Sequence, residues 1–427
     1  MMLTAIGIFF IFLLLGMPVA FAIGLSGFSF FMFADLPMTI LVQKSISASQ
    51  SFTMLAIPLF VLAGNLMNSC GITKRLMRFC NACTGHMRGN IGQVSCLLST
   101  LMGGVSGSAV ADAAMQCRIL GPEMNRLGYA KGWSAAINGL SGLIVATIPP
   151  SMGLIIYGTV GEVSIGRLFM AGWVPGILMC VLLMLAVSWS AKKFGYKAEY
   201  DKPAPFSEIW KSFVSSIWAI MFPVLLILLI RFGIMSPTES GAFACAYALF
   251  VGIVVHKELT KEALMQTLRD SVKDITVITI ILAFSGVFGY GVVYDGITIA
   301  SALTSITSNP TILLAIVILF LLICGCFMET TVIALILTPI LLPVVQSVGV
   351  DPGVFGMIMM TTVTFGVMTP PVGTALYTCS DIMGCSIEDT VKYGWPFYLA
   401  IVAVILFMVF FPDAVLFLPN LVYGAGG

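Results

Sequence analysis

Twelve unbroken apolar runs leave this chain only one solvent in which to fold. They lie at residues 3–15, 17–34, 51–69, 91–117, 132–158, 172–190, 212–230, 238–255, 275–293, 311–345, 353–378 and 395–418. A helix needs about 20 apolar residues to cross a bilayer, and most of these runs approach that length. β-barrel strands would alternate apolar and polar positions, which these runs do not. Charged residues make up 9% of the chain, against roughly 25% in soluble domains. The expected fold class is therefore an all-α polytopic membrane protein. A net charge of +1 gives no reason to expect a nucleic-acid partner. No basic residue or clear cleavage site accompanies the run from Leu3, so it reads as a retained helix.

Residues 91–117 are too few for two full crossings, and charge decides how they run. Lys74, Arg75, Arg78 and Arg88 precede the run, and Arg118, Arg126 and Lys131 follow it. The positive-inside bias places both flanks in the cytoplasm, so the segment enters and returns as a re-entrant hairpin with Ser106 near its tip. Treating 311–345 the same way puts 17 of the 20 basic residues in the cytoplasm, leaving Lys44, Arg167 and Arg231 outside. Single crossings at both places would leave only 7 inside. The expected topology is ten crossings and two hairpins, with both termini periplasmic.

The two halves repeat. Ile148-Pro149-Pro150 recurs as Thr369-Pro370-Pro371, and the same offset of 221 carries Gly104 onto Gly325, Pro122 onto Pro343 and Gly128 onto Gly349. Ser164-Ile165 and Gly172-Trp173 recur as Ser386-Ile387 and Gly394-Trp395, and Gly71-Ile72-Thr73 as Gly296-Ile297-Thr298. The first repeat is expected over 1–190, with its hairpin at 91–127 and a proline-broken helix at 132–158. The second is expected over 212–427, with hairpin 311–348 and broken helix 353–378. A cytoplasmic linker at 191–211 joins them, and the polar stretch His256–Asp274 is expected to lie along the interface as a connecting arm. The hairpins open to opposite sides, so the repeats are inverted, an arrangement of secondary transporters that bind substrate near the midplane.

Each repeat supplies two kinds of broken backbone: a hairpin tip (Gly103–Ser108; Gly325–Thr331) and a proline break (Thr147–Ser151; Thr369–Thr374). Consecutive prolines remove amide donors and free carbonyls, which cannot face lipid and need an ion, water or a polar cavity. Such an oxygen set, without a protonatable cluster, suits sodium better than protons. Asp112 and Glu329 are acids inside apolar runs; burial there costs roughly 2.5–3.5 kcal/mol on insertion scales. They read as members of the cation sites or as structural caps. The helix N-termini after each tip offer free amides and positive dipole ends to a substrate carboxylate, while Gly103, Gly104 and Gly107 serve equally well as packing glycines. Eleven cysteines, mostly in apolar runs, act as small hydrophobes. Cys80-x-x-Cys83-x-x-His86 has metal-like spacing but no clear fourth ligand. Gly104-Val105-Ser106-Gly107 is also similar to the serine motif of intramembrane proteases. The only histidines, His86 and His256, fall in loops away from that tip, so the nucleophile lacks a base.

The tip GGVSGSAVADAAM, the breaks ATIPPS and TPPVGTALY and the repeated S-I-x5-G-W resemble the large membrane subunit of TRAP transporters, the tripartite ATP-independent periplasmic family. The likeness spans essentially the whole chain and is similar to the sialic acid members. It implies the elevator architecture of the ion-transporter superfamily, with a scaffold from residues 1–69, 172–190, 212–255 and 395–418 and a transport domain of hairpins and broken helices. It implies import of an organic acid (sialic acid or dicarboxylate type) across a bacterial inner membrane, driven by at least two Na+ ions and no organic cofactor. Its implied partners are a small four-helix membrane subunit on a separate chain and a periplasmic substrate-binding protein. By the family pattern, cation ligands map to Gly104, Ser106 and Ser108 with Thr147, Ile148 and Pro150, and to Gly325, Cys326 and Glu329 with Thr369 and Pro370; Asp112 joins them from its burial. Substrate contacts map to Ser108, Pro149, Thr330, Pro371 and Thr374. Alternatives to this scheme are a stand-alone ion-coupled carboxylate symporter or antiporter, an ion channel or a membrane enzyme subunit.

Overall fold

The computed structural model describes residues 2–50, 55–103, 107–198, 200, 202–294 and 309–424, and among these every regular element is a helix. The first half runs α1 Met2–Leu14, α2 Val19–Phe33, α3 Met38–Gln50, α4 Ala56–Ser69, α5 Ile72–Thr84, α6 Asn90–Met102, α7 Ala109–Arg126, α8 Lys131–Thr147, α9 Met152–Val160 and α10 Ile165–Phe194. The second runs α11 Phe206–Arg231, α12 Pro237–Phe250 with a π-helical turn Val251–Val255, α13 Lys261–Tyr294, α14 Pro310–Phe327, α15 Thr330–Ser347, α16 Pro352–Gly366, α17 Thr374–Met383, α18 Ile387–Phe410 and α19 Pro412–Tyr423. Seven described helices are long and apolar enough to cross a membrane, and up to nine spans result if the bent pairs α4–α5 (66°) and α8–α9 (43°) each count as one.

The repeated sequence motifs become repeated structural devices. Ser164 and Ser386 are the N-caps that open α10 and α18, accepting from the amides of Arg167 (3.4 Å) and Asp389 (3.1 Å); this is the orphan-donor problem that a serine at an N-cap solves. Cis bonds at Pro149–Pro150 and Pro370–Pro371 interrupt α8–α9 and α16–α17 at equivalent positions. In the first hairpin the arms are antiparallel: Ser99 faces Asp112 (2.8 Å), and one turn away Ser95 faces Gln116 (2.5 Å).

Contacts between the halves reveal their relative direction. Tyr157, near the end of α9, donates to the carbonyl of Pro352 at the start of α16 (2.7 Å). Gly132, at the start of α8, packs on the backbone of Asp389, just past the end of α17. The two broken helices therefore run in opposite senses. Two further contacts are exchanged by the same operation: Gly121 of α7 against Met383 of α17, and Leu342 of α15 against Gly161 beyond α9. Each partner maps onto the other's counterpart at the offsets of 221 and 222 seen in the sequence, so the repeats are inverted about an approximate two-fold axis. Trp133 is fully buried, edge-on to Tyr129, Tyr196 and Phe397, with Nε1 donating to Ser190 (3.1 Å), and it pins α8 between α10 and α18.

Several elements depart from expectation. The polar stretch 256–274 is no separate arm: from Lys261 it is the first part of the continuous α13, because nothing in it breaks a helix before the apolar residues 275–293. Helices invade both ends of the linker, leaving 195–205 between α10 and α11. Tyr200 anchors it, its amide donating to the Gly85 carbonyl (3.2 Å). Met38–Gln50 is helical although its mixed composition gave no apolar run. The last run divides at Phe411, ahead of Pro412. The repeated Gly296-Ile297-Thr298 lies outside the described residues.

Candidate functional site

At the first tip, Gly107 takes a left-handed conformation (φ 66°) and lies against Pro150 and Met152 of the break, while Gly103 packs on Ile148. Gly104 and Ser106 lie outside the described residues. Ser108 is the half-buried N-cap of α7 and makes no side-chain cap hydrogen bond. The break beneath it, Thr147 to Pro150, is entirely buried. Some of the carbonyls freed by its prolines find protein donors: Ser151 donates to the Ala146 carbonyl at 2.6 Å and caps α9 through the Leu154 amide (3.4 Å). The Thr147 carbonyl abuts Gly172 of α10.

The second tip closes on its break more directly. The Gly373 amide donates to the Cys326 carbonyl (2.8 Å), and the Cys326 thiol reaches the Pro370 carbonyl (3.4 Å). Thr369 donates its amide to Gly366 (2.8 Å) and its hydroxyl to Phe365 (2.9 Å), and the amides of Ala375 and Leu376 satisfy the Val367 carbonyl. Gly325 and Gly366 touch backbone to backbone. Gly325, Cys326, Thr369 and Pro370 are thus one cluster. Unlike the first break, this one is open: Pro370, Pro371 and Thr374 are exposed.

Between the tips is a cavity of about 290 Å³. Ser108 and Ala109 supply one wall, Glu329, Thr330 and Thr331 a second, Ala146, Met152 and Gly153 of the first break a third. The fourth wall was not anticipated: Val61, Asn65 and Asn68 of α4 and Asp274, Val277 and Ile278 of α13. Two helix N-termini, α7 and α15, meet here, and neither carries a side-chain cap. Uncapped N-termini present free amides and positive dipole ends. Ser108, Glu329 and Thr330 are therefore brought together. Pro149, Pro371 and Thr374 do not line this cavity. Asn65 and Asn68, three residues apart on one helical face within an apolar run, were the available sequence signal for the fourth wall. Asp274 was masked by its place at the end of a polar stretch.

Asp112 is buried behind the first tip. Its Oδ2 accepts from Ser99 (2.8 Å) and from Gln116 Nε2 (2.6 Å), and Ser95, Asn138 and Ser141 extend the network into α8. Among the described residues, its buried Oδ1 has no hydrogen-bond partner. Asp112→Leu should lower the melting temperature of the purified protein, since each buried polar group left unpaired costs about 1–3 kcal/mol. Asp112→Asn keeps the shape and a hydrogen-bonding group, and should melt close to the native protein; equal melting of the two variants would show that the network carries no stability.

Residues 6–414 match the family model described as the tripartite ATP-independent periplasmic transporter, DctM component. The chain is 35% identical over 405 residues to the 2,3-diketo-L-gulonate TRAP transporter large permease protein of Escherichia coli K12, covering 94% of this chain and 95% of that protein. It is 34% identical to the sialic acid TRAP transporter large permease protein of Vibrio cholerae, over 96% of each. The crystal structure of the YdaH transporter of Alcanivorax borkumensis superposes with a TM-score of 0.57 at 13% identity, over 88% of each chain, and shares the fold alone. These relatives are transporter permeases, not enzymes. Matched along nearly its whole length, the chain belongs to the DctM family, the large membrane permeases of TRAP transporters.

Proposed function

We propose that this permease imports an organic acid across a bacterial inner membrane by sodium-coupled elevator transport. The observation that carries the proposal is the single cavity onto which both hairpin tips and two uncapped helix N-termini converge. A carboxylate is the natural ligand of such termini. The inverted arrangement and broken helices are those of transporters that bind near the midplane.

Sodium enters as the coupling ion. The first site comprises Gly104, Ser106, Ser108 and Asp112 with Thr147, Ile148 and Pro150; the second comprises Gly325, Cys326 and Glu329 with Thr369 and Pro370. Main-chain, hydroxyl and carboxylate oxygens dominate both, the donor type that hard cations prefer. The Asp112 Oδ1, without a partner among the described residues, favours a cation behind the first tip. Ser108, Pro149, Thr330, Pro371 and Thr374 serve the substrate, with the second break completing the site as the domain moves. Sodium binding orders the tips, the anion docks between them, and the loaded unit of α6–α9 and α14–α17 slides against the remaining helices. The small four-helix membrane subunit extends that scaffold as a separate chain, and a periplasmic binding protein delivers the acid.

Uptake into proteoliposomes containing both membrane subunits and the binding protein is expected to require an inward sodium gradient. Uptake that ignores sodium and follows a pH gradient would remove sodium coupling; uptake without added binding protein would favour a stand-alone symporter.

A further inference from the structure

Away from the tips, two cavities adjoin that the transport proposal does not use. The larger, of about 540 Å³, is bounded by α5, the linker and the first turns of α11. Arg78, Lys202 and Lys211 line it against one acid among the described residues, Glu208. None of the three cations forms an ion pair among the described residues. The frame of this basin is fixed. The Tyr200 ring packs over Gly85 and the Tyr200 amide donates to the Gly85 carbonyl (3.2 Å), which holds the linker to the end of α5. Helix α11 opens at Pro205 without a side-chain cap, so its positive dipole end adds to the three charges.

The smaller cavity, of about 280 Å³, is a cleft between α5 and the first hairpin. Met77, Ile91, Val94, Ile119 and Leu120 make it apolar, and the acid in its lining, Glu123, is already paired with Arg126. Arg78 and Asn81, one turn apart on α5, line both cavities. A cationic basin and an apolar cleft therefore meet along one edge of a helix. That edge lies at headgroup depth. Helix α5 carries Lys74, Arg75 and Arg78 and is bent 66° away from α4, the disposition of a helix lying in the membrane interface. The 26 residues of α11 span about 39 Å at 1.5 Å each, more than the roughly 30 Å of the hydrocarbon core. Its first turns present Phe206 and Trp210, both exposed, as side chains of an interfacial aromatic belt do. A free anion would use the basin alone and an uncharged chain the cleft alone; only an amphiphile uses both.

We infer that this corner of the permease binds an anionic phospholipid of the phosphatidylglycerol class, with its phosphate in the basin beside Arg78, Lys202 and Lys211 and an acyl chain in the cleft. Three cations against one acid favour a headgroup of net negative charge over a zwitterionic one, whose ammonium group would meet the same cations. The headgroup rests on the linker and α11, and the chain on α6 and α7 of the first hairpin, with α5 between them. The site is separate from the cavity between the tips and does not depend on what is transported.

The test titrates the purified, delipidated permease in mild detergent with phosphatidylglycerol and with phosphatidylcholine of identical acyl chains, and counts bound lipid by native mass spectrometry. Phosphatidylglycerol is expected to bind at least about fivefold tighter, the effect of a single basic contact at a membrane surface. R78Q/K211Q is expected to remove that preference without a change in melting temperature, since both side chains are exposed. K192Q/K193Q removes the same number of charges from the end of α10, outside the basin, and is expected to keep the preference. Equal binding of the two lipids by the native protein would overturn the inference. So would a preference that survives R78Q/K211Q, or one that K192Q/K193Q abolishes as well, because surface charge at large would then explain it. Soluble glycerol 3-phosphate separates a lipid from a free anion: displacement of phosphatidylglycerol at comparable concentration would leave the cleft without a role and overturn the lipid. Should R78Q/K211Q fail to fold, the ratio of the two lipids, the K192Q/K193Q control and the competition decide.

Discussion

Replacing Gly325 by valine is expected to abolish uptake, with a loss of at least about 100-fold, equivalent to about 2.7 kcal/mol. A β-carbon on Gly325 would stand 2.6 Å from the Val363 carbonyl and 2.9 Å from the Gly366 α-carbon; one on Gly366 would stand 2.6 Å from the Gly325 α-carbon. The obstacles are backbone atoms, so no rotamer change relieves them. Overpacking in a well-filled interior costs about 1–3 kcal/mol even where side chains can adjust, and small residues are what allow membrane helices this close. The adjoining Gly373–Cys326 hydrogen bond (2.8 Å) and the Cys326–Pro370 contact (3.4 Å) would separate with the helices, dispersing the cluster proposed as the second cation site. Gly7 is the control. It lies within α1 with nothing inside 4 Å of an added β-carbon, and alanine there gains up to about 1 kcal/mol of helix propensity. Uptake assayed beside melting temperature separates the outcomes: Gly7→Ala should transport normally. A Gly325→Val protein with native uptake would show that the clasp has no part in transport.

The sequence exposed the architecture wherever a physical constraint repeated. Gly121 meeting Met383 and Leu342 meeting Gly161 are the spatial form of the 221–222 offset, and the S-I motif proved to be a pair of helix N-caps. Consecutive prolines marked both breaks because no helix continues through two missing amides. What stayed hidden needed three-dimensional information. Freed carbonyls were expected to need an ion, water or a polar cavity, yet several are taken by Ser151, Thr369, Ala375 and Leu376, and such local capping leaves no periodic trace. The two breaks correspond in sequence, yet the first is buried and the second exposed, because inverted repeats meet the rest of the chain differently. Asp274 belongs to the cavity only because α13 runs unbroken from Lys261 to Tyr294. A linear scan divides that helix at its change of polarity and assigns the acid to a connecting arm.

Cysteines at Val61 and Val110, joined by a short bifunctional thiol reagent, are expected to stop transport reversibly. Both residues line the cavity, Val61 on α4 of the proposed scaffold and Val110 on α7 of the proposed moving unit. Both are apolar, so the substitutions remove none of the groups assigned to sodium or substrate. If α6–α9 and α14–α17 travel as one body past α4, a covalent strut across the cavity forbids the journey: uptake should fall by at least about tenfold, a change of about 1.4 kcal/mol in the limiting barrier, and recover on reduction. The matching internal pair is Gly121→Cys with Met383→Cys. These positions touch, since a β-carbon on Gly121 would lie 2.5 Å from the Met383 sulfur, and both belong to the proposed moving unit. Their cross-link should leave uptake near that of the unlinked variant. The native thiols are controlled by treating the parent protein with the same reagent. Full uptake by a quantitatively linked Val61–Val110 variant would mean that α4 and the first hairpin do not part company during transport. Substrate would then have to pass by local movement of the tips around a fixed site, as in gating, with the surrounding helices at rest.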